Sequence, residues 1–207
     1  EVAEETGLVC ELGEELPSTT YLDGKRRRKL VRYWAMRPVE VAPWSPNDEI
    51  DGRRWVSLDD AAGLLTYAHD RALLEAFTER MADLLEACMD DGAFGLSSGL
   101  FYEEAHAAPA DEVTDLARVV AHHGGVYATH LRSEMAQIIE AIHEAGDTAF
   151  EAGLPLVISH HKCAGPANWG RTRETLPLVE ALAGRQAIAM DVYPYVAGST
   201  VLREDLV

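Results

Sequence analysis

Three cysteines in 207 residues are too few and too far apart to build a disulfide framework. Cys10, Cys88 and Cys163 form no CxxC pair and read as reduced thiols of a cytosolic protein. No apolar run reaches the roughly 18 residues that would mark a membrane-spanning helix. The chain opens on "EVAEETGL", acidic where a secretory leader is basic and then apolar, so no leader is expected and a cytoplasmic location is. It also starts without Met, as a sequence beginning inside a longer one would. Positive charge is scarce: 18 Lys+Arg face 35 Asp+Glu, a formal net charge of −17. A field of that sign argues against nucleic-acid and membrane partners.

What is present is unevenly spread. Residues 1–78 hold 10 Lys+Arg against 15 Asp+Glu, including the run "KRRRK" at 25–29, and one histidine, His69. His106, His122, His123, His130, His143, His160 and His161 all follow. The shift predicts two unlike pieces, 1–78 and 79–207, joined near residues 78–81.

In the first piece, "EVAEETGLV" reads as the end of a helix with Gly7 at its C-cap. Glu1, Glu4 and Glu5 fall at i, i+3 and i+4 and share one face. Three carboxylates there are either solvated or hold a cation, and Mg²⁺, an oxygen-seeking ion that keeps waters for a phosphate substrate, suits such a face. "YLDGKRRRKLVRYWAMRPV" reads as a hairpin turning at Asp23-Gly24, with "KLVRYWAM" as its β-rich strand. "PWSPNDEIDGRRWVSL" reads as loop and then a short strand, and "SLDDAAGLL" as a helix with Ser57 as N-cap and Asp60 at the capping-box position.

These residues carry a resemblance. "EVAEETGL" is similar to the last eight positions of the Nudix box, G-x5-E-x7-R-E-U-x-E-E-x-G-U with U apolar. The likeness runs to about residue 77 through "VRYWAM", "PNDEIDGRRWVSLDDA" and "LLTY". It implies the C-terminal half of an α/β/α Nudix sandwich with Glu1, Glu4 and Glu5 on magnesium. Glu49, six residues before Trp55, stands where Nudix enzymes often place a further metal-binding or catalytic acid. The implied substrate is a nucleoside diphosphate derivative. The box's leading Gly, first Glu and Arg are expected before residue 1.

The second piece opens with an amphipathic helix, "TERMADLLEACMDDG", whose Met81, Leu84, Leu85 and Cys88 form the expected buried stripe. Short apolar strands then recur at "AFGLS" (93–97), "GVYATH" (125–130), "LPLVISH" (155–160) and "AIAMDVY" (187–193), separated by helical stretches. Four βα units at roughly 31-residue spacing predict an α/β fold with a parallel sheet and helices outside it. Tyr102, His130, His160 with Lys162, and Tyr193 fall at the strands' C-terminal ends or just after them, where active sites sit in such folds. Adjacent strands lie about 4.8 Å apart, so histidines ending two of them are within reach of one metal ion. Strand alternation puts His160 and Lys162 on one face and turns His161 away. His122 and His123, before Gly124-Gly125, read as capping or solvated, and Cys163 as a small buried residue.

"GAFGLSSGLFY", "GGVYATHLRSE", "LVISHHKCAGPANWG" and "DVYPYVAGST" resemble the N-acyl-D-amino-acid deacylases (D-aminoacylases) of the amidohydrolase superfamily, in order and spacing, over about 125 residues. The resemblance implies the middle fragment of a (β/α) barrel, with His130 and His160 as zinc ligands. It also implies Tyr102, Lys162, Tyr193 and Ser199 as contacts to the substrate's carboxylate or acyl oxygen. In that family zinc activates a water and polarises the amide carbonyl, and an Asp acts as general base. The family's HxH motif and zinc-binding Cys are not found in this chain, and their roles pass to neither Cys88 nor Cys163. The general-base Asp is expected beyond Val207; Asp191, within "AMDVY", is not its equivalent. Three readings follow: a zinc amidohydrolase acting on N-acyl-D-amino acids with part of its site here, a magnesium-dependent Nudix pyrophosphohydrolase, or a fusion fragment inactive by itself.

Overall fold

A computed structural model describes residues 2–22, 24–46 and 50–198. It begins with a short helix, α1 (Val2–Thr6), that stops at Gly7. Gly7 has φ +69°, and a side chain there would press on Trp44 Cβ at 2.9 Å, so glycine is needed both to end the helix and to let the Trp44 loop pass. Two long strands follow, β1 (Leu8–Leu22) and β2 (Arg28–Val41), paired antiparallel. Asp23 of the expected turn lies outside the described residues, β2 is nearly twice as long as "KLVRYWAM", and the antiparallel pairing is as expected. Its ladder slips between Leu12 and Glu15 and between Leu16 and Thr19, the second slip containing Pro17, which has no N–H to donate. No strand forms over residues 50–57 among the described residues, against expectation, because this sheet has two strands only and none runs alongside that segment. Helix α2 (Leu58–Leu64) starts as read, with Ser57 Oγ accepting the Asp60 N–H at 3.0 Å.

Helix α3 (Ala68–Asp90) runs unbroken through residues 78–81. It touches the ribbon through Tyr33, whose hydroxyl donates to Asp70 at 3.4 Å, and through an Arg80–Glu14 ion pair. Its inward face differs from the one expected. Met89 is buried, whereas Cys88 and Leu84 are exposed. The helix is rotated by about one residue, some 100°, so that Leu85 and Met89 meet the core.

The remainder alternates strand and helix: β3 (Gly95–Gly99), α4 (Glu103–His106), α5 (Ala110–His122), β4 (Val126–His130), α6 (Ile138–Ala152), β5 (Leu156–Ile158), α7 (Thr172–Ala183) and β6 (Ile188–Met190). The four strands are parallel and ordered β3-β4-β5-β6, as expected of consecutive βα units. Each crossover steps to the next strand, so right-handed connections lay α5, α6 and α7 side by side on one face. Tyr127, Thr129, Leu156 and Ile158 are buried beneath them with Ile138, Ile142, Ala145 and Ala149 of α6. Val126, Ala128 and His130 point to the other face, which no helix among the described residues covers. At Gly95 any side chain would collide with the Val126 backbone, so only glycine lets β3 close on β4. No helix among the described residues is long and apolar enough to cross a membrane.

Candidate metal and substrate site

His130 ends β4 on the face that the helices leave open. Strand β5 stops at Ile158, and Ser159-His160 form a turn in which His160 takes the left-handed conformation, φ +39°. That conformation is uncommon for a residue with a side chain. It is held by Asp191, just past β6, whose carboxylate accepts the His160 backbone N–H at 2.7 Å. The His161 N–H donates to the Asp191 carbonyl at 2.8 Å. Asp191 thus follows its strand instead of lying in it, and it shapes the turn.

The turn brings the two imidazoles together. His160 Nε2 faces His130 Nδ1 in direct contact, with ring centroids 4.2 Å apart. Burial first, and the neighbouring His160 second, push the His130 ring below its ordinary value, which favours the neutral form a metal requires. Lys162 Nζ lies 2.9 Å from His160 Nδ1 and 5.6 Å from the centroid of the Tyr193 ring. Tyr102 meets His130 edge-on at 5.8 Å between centroids, and Tyr193 lies 6.4 Å from His160. These side chains line one cavity of about 880 Å³, with Phe101 and Trp169 among its apolar walls.

Lys162 shares a side with His160 and His161 does not, as alternation predicts, but the cause is the left-handed turn. His161 is buried on the helix side, where its Nε2 pairs with Thr175 Oγ1 at 2.9 Å. Cys163 is partly buried against the core, and burial raises its thiol above the ordinary range.

Sequence reasoning missed Glu134. It is 6% exposed, forms an ion pair with Lys162, and lies 2.9 Å from His160 Nδ1. It stands four residues after His130 in irregular chain, where no periodicity marks a buried position. Its presence in the quoted stretch "GGVYATHLRSE" was the only sign.

Two nitrogens that converge from adjacent strand ends suit zinc, a borderline ion that favours imidazole. Among the described residues no group of three or more His, Cys, Asp or Glu is placed to hold a metal ion. Of the four expected magnesium ligands, two lie among the described residues. Glu4 and Glu5 are on α1, the Glu5 backbone carbonyl accepting the Trp44 Nε1–H at 2.6 Å, while Glu1 and Glu49 lie outside the described residues, as does Ser199.

The comparisons fall in the same two places. Residues 1–77 match the family described as NUDIX domain. A D-aminoacylase of Alcaligenes xylosoxydans xylosoxydans is 47% identical over 137 residues, covering 66% of this chain and 28% of the relative. The chain resembles two hydrolase families in succession, Nudix and then D-aminoacylase. For the first, an 8-oxo-(d)GTP phosphatase of Mycolicibacterium smegmatis is 39% identical over 83 residues, covering 40% of this chain and 25% of that protein. For the second, the solved N-acyl-D-glutamate deacylase of Bordetella bronchiseptica aligns with TM-score 0.55 and 37% identity. It covers 57% of this chain and 25% of its own, and it was solved with zinc and a phosphonate mimic of the tetrahedral intermediate. The chain spans about a quarter of these relatives' length.

Proposed function

We propose that the chain carries part of a zinc-dependent amidohydrolase site that hydrolyses the amide C–N bond of N-acyl-D-amino acids. The observation that carries this reading is the meeting of His130 Nδ1 and His160 Nε2 at adjacent strand ends, beside Lys162 in a cleft of substrate size. We read the four-stranded sheet as part of a (β/α) barrel, the ribbon as part of a Nudix sandwich, and the junction as falling near residues 78–81, within α3. Zinc held by the two histidines would supply Lewis-acid polarisation of the amide carbonyl. The chain's own residues bind and orient. The Lys162 ammonium meets the substrate carboxylate as a point charge. Tyr102 and Tyr193, with Ser199, offer hydroxyls to that carboxylate or to the acyl oxygen as charge develops on it. No general base is assigned to this chain.

Titrating the full chain with zinc, and assaying it with N-acetyl-D-methionine, tests the reading. Binding lost in H130A and H160A supports it; no zinc binding at these histidines removes it. The match of residues 1–77 to the NUDIX domain favours a second reading, a magnesium-dependent pyrophosphohydrolase using Glu1, Glu4, Glu5 and Glu49. Magnesium-dependent release of phosphate or pyrophosphate from nucleotides would support that one. If both assays are blank, the inactive-fragment reading stands.

A further inference from the structure

Single large apolar side chains left in water are ordinary, but several gathered at one opening mark a contact surface. Trp169, Tyr195 and Val196 are all exposed, and all line the cleft that holds His130 and His160. Tyr195 and Val196 come from the chain after β6. Trp169 comes from the loop after β5, and it is 76% exposed.

The backbone beneath that indole is fixed. Pro166–Asn168 make a single 3₁₀ turn, and the glycines on either side, Gly165 and Gly170, take φ +80° and +84°. Asn168 is buried within the turn. Its Nδ2 donates to the Ala164 carbonyl at 2.8 Å, and its Oδ1 accepts from Arg171 Nη1 at 3.2 Å. The same Arg171 nitrogen donates to the Ala136 carbonyl at 2.9 Å, which ties the loop to the chain after β4. The loop is therefore ordered before any ligand arrives, so a contact to the indole loses little further entropy.

The surroundings define what fits. With Trp169, the side chains of Met135, Cys163, Ala164 and Val196 give the cleft an apolar wall. The Lys162 ammonium, paired with Glu134, serves one carboxylate. A second carboxylate set against this wall would give up water without gaining a partner. The α-carbon of an amino acid carries both its carboxylate and its side chain. A substrate anchored at Lys162 thus presents its side chain to the loop that holds Trp169.

We propose that Trp169 is a specificity-determining residue: its indole packs over an uncharged, apolar side chain of an N-acyl-D-amino acid and turns away one that bears a second carboxylate. The substrate class rests on the amidohydrolase reading.

The experiment is calorimetric titration of the full chain, with and without zinc, using N-acetyl-D-methionine, N-acetylglycine and N-acetyl-D-aspartate. Wild type should bind the methionine derivative about 10-fold or more tighter than the other two. W169A should lose about 10-fold for the methionine derivative and little for the others, and W169F should recover most of the loss. Tryptophan emission should shift on binding in wild type and not in W169F, which keeps Trp34, Trp44 and Trp55. Equal losses for all three ligands, or no loss in W169A and W169F, overturn the proposal. So does wild type that binds the aspartate derivative as tightly as the methionine one, or that binds neither. Zinc bound at His130 and His160 without these Trp169 effects leaves the amidohydrolase reading and removes this one. The Trp169 effects without zinc binding keep the contact and remove the zinc site.

Discussion

Arg132 joins three segments around the cleft. Its Nε lies 2.9 Å from Glu144 on α6, its Nη2 donates to the Ala108 carbonyl at 2.8 Å, and its Nη1 donates to the His106 carbonyl. The chain that carries Tyr102 is thereby strapped to the loop after β4. R132A leaves two carbonyls and a partly buried carboxylate without their partner, so we expect a loss of about 1–3 kcal/mol in denaturant unfolding. Glu112 behaves in the opposite sense. Burial first, then Asp111 and Asp59, raise its carboxyl above the ordinary value of 4.5. The folded state therefore holds the proton more tightly than the unfolded one. That contribution is complete below the ordinary value and is lost as pH rises through the folded one. E112Q should raise the melting temperature at pH 7 and should do so less and less as pH falls toward 4, as scanning calorimetry would show. At this scale His130, His160 and Lys162 were readable because they stand at or just after the ends of recognisable apolar runs. Glu134 was not, since its importance lies in what surrounds it in space.

Among the elements, the four βα units were legible from apolar runs at regular spacing, and their order in the sheet follows the tendency of consecutive strands to lie side by side. Their ends were less so. Strand β5 stops at Ile158, two residues before the predicted end, because the Asp191 contacts turn the chain. The buried side of α3 was misread because its apolar residues do not distinguish the Leu84–Cys88 stripe from the Leu85–Met89 stripe, and packing against α5 chooses between them. The β3–β4 junction gives a direct test. G95A places a methyl against the Val126 backbone and should cost about 2 kcal/mol or more, read from the unfolding midpoint, because neither strand can move without shifting the ladder.

Across the whole molecule, burial is lopsided. The ribbon β1–β2 leaves Leu12, Leu22 and Leu30 more than 60% exposed, while Ile138, Ile142, Leu156 and Ile158 are wholly buried. Local stability follows buried apolar contact, so native-state hydrogen exchange should find β4, β5 and α6 strongly protected and the ribbon exchanging much faster. Equal protection across both regions would contradict this. The sequence by itself determined the change of character near residue 78, the parallel βα rhythm and the two strand-end histidines, because each rests on local periodicity or on residues a few positions apart. Tertiary structure alone decided that His160 turns left-handed, that His161 pairs with Thr175, and that the buried Glu134 carboxylate takes Lys162 as its ion pair. Those outcomes depend on Asp191, Thr175 and Glu134, which lie 14 to 31 residues away along the chain and are brought near only by the stacking of neighbouring strands and helices.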